Sequence, residues 1–112
     1  MIIENSGLNG LTSDLAHLDE SAASLGFVRW QWEYYRATYD LKIVDNTNEY
    51  FCRINTRAIE GKLESADAIL KIEAVYLGRA TFPHGMEYES PVPPKVLAAA
   101  EGKLAELKAA LA

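Results

Sequence analysis

The sequence predicts an α+β fold: an antiparallel meander of four to five strands, with an N-terminal and a C-terminal helix packed on one face. Two kinds of periodicity predict it. Near both ends of the chain, apolar residues recur every three or four positions, as in amphipathic helices. Between them, three runs alternate apolar and polar residues, as in half-buried strands. Because every element then has one apolar face, both helices are expected to cover the same side of the sheet, in one domain of residues 1–112.

The first helix is predicted in the segment "LTSDLAHLDESAASLG". Its apolar residues share one helical face: Leu11, Leu15, Leu18, Ala22 and Leu25. Thr12 or Ser13 is expected to cap the N-terminus, and Asp14 suits the positive end of the helix dipole. Gly26 fits the position after the C-cap.

The strands are predicted from alternation of period two. The first long run is "YYRATYDLKIV" (34–44), the second covers 50–59, and the third is "DAILKIEAVYLG" (67–78). The turn formers of "DNTNE" separate the first two runs. A short strand in "FVRWQW" is expected to precede them, and "GMEYE" to add an edge strand.

The second helix is predicted in "KVLAAAEGKLAELKAALA". Its apolar stripe consists of Leu97, Ala100, Leu104, Leu107 and Leu111. Pro93 and Pro94 suit a helix start, where the backbone N–H groups need no partner within the helix.

Composition narrows the classes of function. The 112-residue chain has a formal net charge of −5, whereas nucleic-acid binding usually depends on clustered Lys and Arg, so we expect no nucleic-acid partner. No apolar run approaches the roughly 20 residues that span a bilayer. The start, "MIIENSGLNG", has neither the basic nor the apolar region of a secretory signal, and a single cysteine, Cys52, cannot form an internal disulfide. These features predict a cytoplasmic protein with no membrane partner.

Three segments carry a resemblance to a known family. They are "NSGLNGLTSDLAHLD" (5–19), "GFVRWQWEYYRATYD" (26–40) and "FPHGMEYE" (82–89). In order and spacing they resemble the YugN-like family, small proteins of Gram-positive spore-forming bacteria, over nearly the whole chain. The resemblance implies a compact α+β fold, and it carries over no catalytic residue.

The stretch "RATFPHGMEYESPVPP" (79–94) holds all four prolines and one of the two histidines. Pro83 and Gly85 suit the second and fourth positions of a type I turn, which favours a structural turn with His84 bonded locally. The alternative is a small-molecule site in which Arg79 holds an anion, His84 and Glu87 handle protons, and Trp32 supplies a stacking wall. Two histidines and one cysteine, far apart in the chain, do not predict a metal site, and we expect no cofactor.

The alternation also predicts a second candidate site, on the face of the sheet opposite the helices. If Tyr35, Tyr39, Ile43, Tyr50, Ile54, Leu70 and Ile72 point at the helices, then Arg36, Arg53 and Arg57 share the opposite face of the sheet. Large apolar residues accompany them there: Tyr34, Phe51, Ile59, Ile69 and Val75. A solvated face rarely carries so many. Three interpretations stay open: an ordinary surface with cross-strand ion pairs, a homodimer interface formed by Tyr34, Arg36, Phe51, Arg53, Arg57 and Ile59, and a pocket for a small anion.

No Gly-rich phosphate loop, G-x-S-x-G elbow or H-E-x-x-H motif occurs in the sequence. The leading hypothesis is therefore a non-enzymatic, homodimeric interaction or regulatory domain. The alternative is an anion-binding protein or enzyme with a pocket near residues 79–89.

Overall fold

The computed structural model describes residues 1–30, 33–81, 85–87 and 91–112. Its elements are, in chain order, β1 (Thr12–Asp14), α1 (Leu15–Ser24), β2 (Val28–Trp30), β3 (Arg36–Asp45), β4 (Asn48–Glu60), β5 (Ile69–Thr81), β6 (Gly85–Glu87) and α2 (Pro94–Leu111). The strands form one antiparallel sheet in the order β1-β5-β4-β3-β2, and β6 also pairs with β5. Strands β2 to β5 are consecutive neighbours, so the predicted α+β meander with two helices is confirmed.

Both helices pack on one face of this sheet, which we call the inner face. Each contributes one apolar stripe: Leu15, Leu18 and Ala22 from α1, and Val96, Ala100, Leu104 and Leu107 from α2. Beneath them lie alternate residues of the long strands, including Ala37, Tyr39, Tyr50, Cys52, Ile54, Leu70 and Ile72. The other strand residues point to the reverse side, which we call the outer face.

An extra residue in β5 reverses the alternation of that strand. Thr56 of β4 pairs with Ile72, whereas Asn55 pairs with Ala74, so Glu73 is left over as a β-bulge. Beyond the bulge, Val75 points to the inner face and is fully buried. The prediction that Val75 lies on the outer face is therefore wrong. For the same reason, Ala74 and Tyr76 lie on the outer face.

The first helix begins later than its pattern predicts. Asp14 is the N-cap, and its Oδ2 accepts a hydrogen bond of 2.9 Å from the backbone N–H of His17. The prediction of Thr12 or Ser13 as the cap is wrong because these residues pair with β5 as part of β1. At the other end, Gly26 adopts a positive φ of 97°, as predicted for a glycine after the C-cap.

A polar cluster around Asp19 connects α1 to the inner face. The hydroxyl of Tyr39 donates to Asp19 Oδ1 over 2.6 Å, and Arg29 Nη1 lies 3.4 Å from Asp19 Oδ2. Burial, together with the Asp19 carboxylate, raises the pKa of Tyr39. Because each group has a partner, this cluster is explained by the packing of α1 on the sheet.

Candidate functional site

The outer face of the sheet carries the three arginines on which the sequence prediction rested. Arg36 pairs directly with Arg57 across β3 and β4, and Arg53 pairs with Tyr76 across β4 and β5. Phe51, on the same face of β4, is half-buried. The structure thus brings four of the six proposed interface residues onto one surface, while their role in an interface stays a prediction.

The remaining two proposed interface residues, Tyr34 and Ile59, are exposed at one end of this surface. Tyr34 comes just before β3, and Ile59 is the extra residue of a second bulge, between Ala58 and Glu60. Tyr35 was expected to point at the helices. It also precedes β3 and is 48% exposed, so that expectation is wrong.

Three further apolar side chains make the outer face more hydrophobic than the sequence predicts. Val28 is 66% exposed, Trp30 41% and Val44 59%. Val28 pairs with Asp40 and Trp30 with Thr38, which places both on the outer face. The sequence pattern missed them because their face depends on how β2 pairs with β3, and a three-residue strand has too little alternation to show it.

An ion pair and an indole meet near the centre of the outer face. Arg53 donates to Asp40 through Nε and Nη2, both over 2.8 Å, and Trp30 Nε1 donates to Asp40 Oδ2 over 3.0 Å. The Arg53 guanidinium also lies 5.2 Å from the centroid of the Trp30 ring. A two-pronged contact between Arg and a carboxylate fixes geometry as well as charge. The Asp40 carboxylate therefore accepts its hydrogen bonds from side chains of the same chain.

A second charged cluster lies at the bulge of β5. Glu73 Oε1 is 3.4 Å from Arg36 Nη1, and its Oε2 is 3.2 Å from Arg57 Nε. Like charges directly opposite each other destabilise a sheet, so a carboxylate shared by both arginines offsets their repulsion. The bulge is what aims Glu73 at this pair.

Only part of the pocket predicted near residues 79–89 falls within the described structure. Arg79 lies on β5 opposite Tyr50, which places it on the inner face, and the pairing of β5 with β6 brings Glu87 directly across from it. Trp32 and His84 lie outside the described residues. The ligand-binding role of all four therefore stays a prediction.

Another concavity lies elsewhere in the described part of the chain. It is a shallow cleft of about 160 Å³ between the N-terminal segment and α2, lined by Ile3, Asn5, Ser6, Glu101, Leu104 and Ala105. Within the same described ranges, no three His, Cys, Asp or Glu side chains come together to hold a metal ion. None of the described helices is both long enough and apolar enough to cross a membrane.

Comparison with known proteins connects this architecture to a family. A model of the YugN-like family matches residues 4–107. This chain belongs to the YugN-like family. It is 38% identical over 84 residues to the uncharacterized protein YlbA of Bacillus subtilis (strain 168), covering 74% of this chain and 70% of YlbA. It is 31% identical over 83 residues to the uncharacterized protein YugN of the same organism, covering 73% of this chain and 62% of YugN.

A solved structure of the family has the same fold. The crystal structure of the uncharacterized conserved protein YugN from Geobacillus kaustophilus HTA426 superimposes with a TM-score of 0.86 at 34% sequence identity. The match covers 99% of this chain and 94% of that one. The resemblance predicted from the sequence is therefore confirmed, and with it the arrangement of sheet and helices that leaves the outer face opposite both helices.

Proposed function

We propose that the protein is a non-enzymatic interaction domain of the cytoplasm that pairs with a second copy of itself through the outer face of its sheet. The observation that carries the proposal is the exposure of Val28, Trp30 and Val44 on that face. Exposed apolar side chains gathered on one face of a sheet often mark an interaction surface, and these three lie on the outer face of the neighbouring strands β2 and β3. The helices use the opposite face for the core, so they do not supply that cover.

The charges of the outer face favour a second copy as the partner. Basic and acidic side chains are nearly balanced there: Arg36, Lys42, Arg53, Arg57 and Lys71 against Asp40, Glu49, Glu60 and Glu73. The whole chain has a formal net charge of −5, so most of the excess negative charge lies elsewhere. Two acidic copies would repel each other least through this face, and a two-fold axis could match its opposite charges.

The size of the outer face also suits self-association. Strands β3, β4 and β5 have 10, 13 and 13 residues. With a rise of about 3.4 Å per residue and a strand spacing of about 4.8 Å, they cover on the order of 600 Å². Standard protein interfaces bury about 800 Å² from each partner.

Sedimentation equilibrium from low to high micromolar concentration tests the proposal. We expect the wild type to form dimers, and Val44→Glu to be monomeric at the same concentrations because it replaces an exposed apolar side chain of the proposed interface with a charge. Val44 is mostly exposed, so this variant is expected to fold. Ala99→Glu, which adds the same charge at an exposed position of α2, should dimerise as the wild type does. A monomeric wild type, or Val44→Glu dimers of undiminished stability, would contradict the proposal.

The alternative function is a small-molecule (anion) binding protein or enzyme with a pocket near residues 79–89. Its support is the register of β5 and β6, which brings Glu87 opposite Arg79. It stays a prediction.

A further inference from the structure

Trp30 differs from the other exposed aromatic residues in how it is held. Its indole N–H donates to Asp40, and the Arg53 guanidinium lies against its ring. Tyr34 and Tyr35 are exposed to a similar extent, and their hydroxyl groups have no hydrogen-bond partner within the described residues. The Tyr34 ring also has a cation near it, Lys62 Nζ at 5.7 Å from the centroid, but within the described residues Trp30 alone of these three aromatic side chains combines such a contact with a hydrogen bond.

The group that orients the Trp30 indole is itself rigid. Asp40 accepts two hydrogen bonds from Arg53, and the two side chains are only 12% and 23% exposed, respectively. They lie on the two central neighbouring strands, directly opposite each other in the register of β3 and β4. Trp30 donates the third hydrogen bond to this carboxylate, whose position is already fixed by Arg53.

A side chain held in this way has a consequence for association. Ordering a mobile side chain at an interface costs conformational entropy, and a side chain that is already ordered avoids that cost. Trp and Arg are also the residue types that most often dominate the energy of an interface. On the outer face they occur in contact with each other, next to the exposed Val28.

We propose that Trp30 is the anchor residue of the self-association face and that Asp40 is the positioning residue that orients its indole toward a second copy of this chain. The inference rests on the proposed function, because the anchor requires a partner. Beyond the proposed function, the inference names the side chain that contributes most to the contact, Trp30, and the carboxylate that orients it, Asp40.

Two measurements on the full chain test the inference. The first is the hydrogen-exchange rate of the indole Nε1–H of Trp30 by NMR, in samples dilute enough to be monomeric, with Trp32→Phe used to assign the resonance. The second is the dimer dissociation constant from sedimentation. We expect Asp40→Ala to accelerate the exchange and to weaken the dimer about tenfold, and Trp30→Ala to weaken the dimer at least as much. Glu106→Ala, which removes the exposed partner of Lys103 on α2, away from the outer face, should change neither measurement by more than about twofold.

Each part of the inference can fail separately. If Trp30→Ala dimerises as the wild type does, Trp30 is not the anchor, although the face can still be an interface. If Asp40→Ala leaves the exchange rate unchanged, Asp40 does not position the indole. If the wild type is monomeric throughout, the proposed function fails first, and the anchor role fails with it. Should Asp40→Ala lose its folded spectrum, Asp40→Val removes both acceptor oxygens with a residue that suits a strand, and the same two readouts decide.

Discussion

The two faces of the sheet are built from alternate residues of the same strands, yet they depend on different interactions. The inner face buries Cys52, Ile54 and Val75 beneath two helices, and its contribution to stability comes from packing. On the outer face, Arg53 bonds to a carboxylate of the neighbouring strand and Arg36 to one two strands away, while valines and a tryptophan face solvent. Substitutions on the inner face should therefore report on folding, and those on the outer face on binding.

The largest expected difference is between two valines in long strands. Val75 is fully buried on the inner face, whereas Val44 is mostly exposed on the outer face. We expect Val75→Ala to lower the free energy of unfolding by about 2–3 kcal/mol, from lost apolar burial and a residual cavity. The matched control Val44→Ala should cost less than about 1 kcal/mol. Urea unfolding of the monomer measures both, and equal costs would mean that the bulge at Glu73 does not turn Val75 inward.

This comparison also shows what the sequence can and cannot predict. Period-two alternation was enough to predict β3, β4 and the inner position of Cys52, because both strands keep one phase through most of their length. It failed after Glu73, since the stretch from Ile69 to Tyr76 contains no glycine or proline to indicate an extra residue. The bulge depends on how β5 pairs with β4, and the sequence of one strand alone does not determine that pairing.

The candidate site likewise has a part that the sequence predicts and a part that it does not. The outward direction of Arg36, Arg53 and Arg57 followed from β3 and β4 alone, so it could be predicted. The cluster of Trp30 with Asp40 and Arg53 joins three strands, and it required the register of β2 against β3. Contacts that depend on the register between strands, rather than on spacing along the chain, could not be predicted without the structure.

A second prediction concerns the pH dependence that the inner face creates. Burial, followed by the nearby Asp40 carboxylate, raises the pKa of the Cys52 thiol from its ordinary 9.0 to about 12. Above the ordinary value the unfolded chain releases this proton while the native protein keeps it, so the unfolded state binds fewer protons and stability falls as pH rises. The loss should reach about 1.4 kcal/mol by about pH 10.

Unfolding curves of the wild type and Cys52→Ala, between about pH 8 and about pH 10, test this prediction. The variant should be less stable at the lower pH because a buried group is lost, but its stability should fall less steeply. The outer-face variant Val44→Ala serves as the control and should keep the wild-type slope. Parallel curves for wild type and Cys52→Ala would show that the thiol is not what titrates.

The smallest expected effect belongs to the charged cluster of the outer face. Glu73→Gln removes the carboxylate shared by Arg36 and Arg57, but all three side chains are partly exposed. Exposed ion pairs contribute about 0–1 kcal/mol and are screened by salt, so we expect a cost of about 0.5 kcal/mol that shrinks at high ionic strength. Glu64→Gln, at an exposed carboxylate with no ion pair inside the described ranges, controls for the change in net charge. A cost above about 2 kcal/mol would mean that folding depends on Glu73 to neutralise the two opposed arginines. Arg36 and Arg57 would then be needed for ion pairs within the chain, and they would be unsuited to forming ion pairs with a second copy.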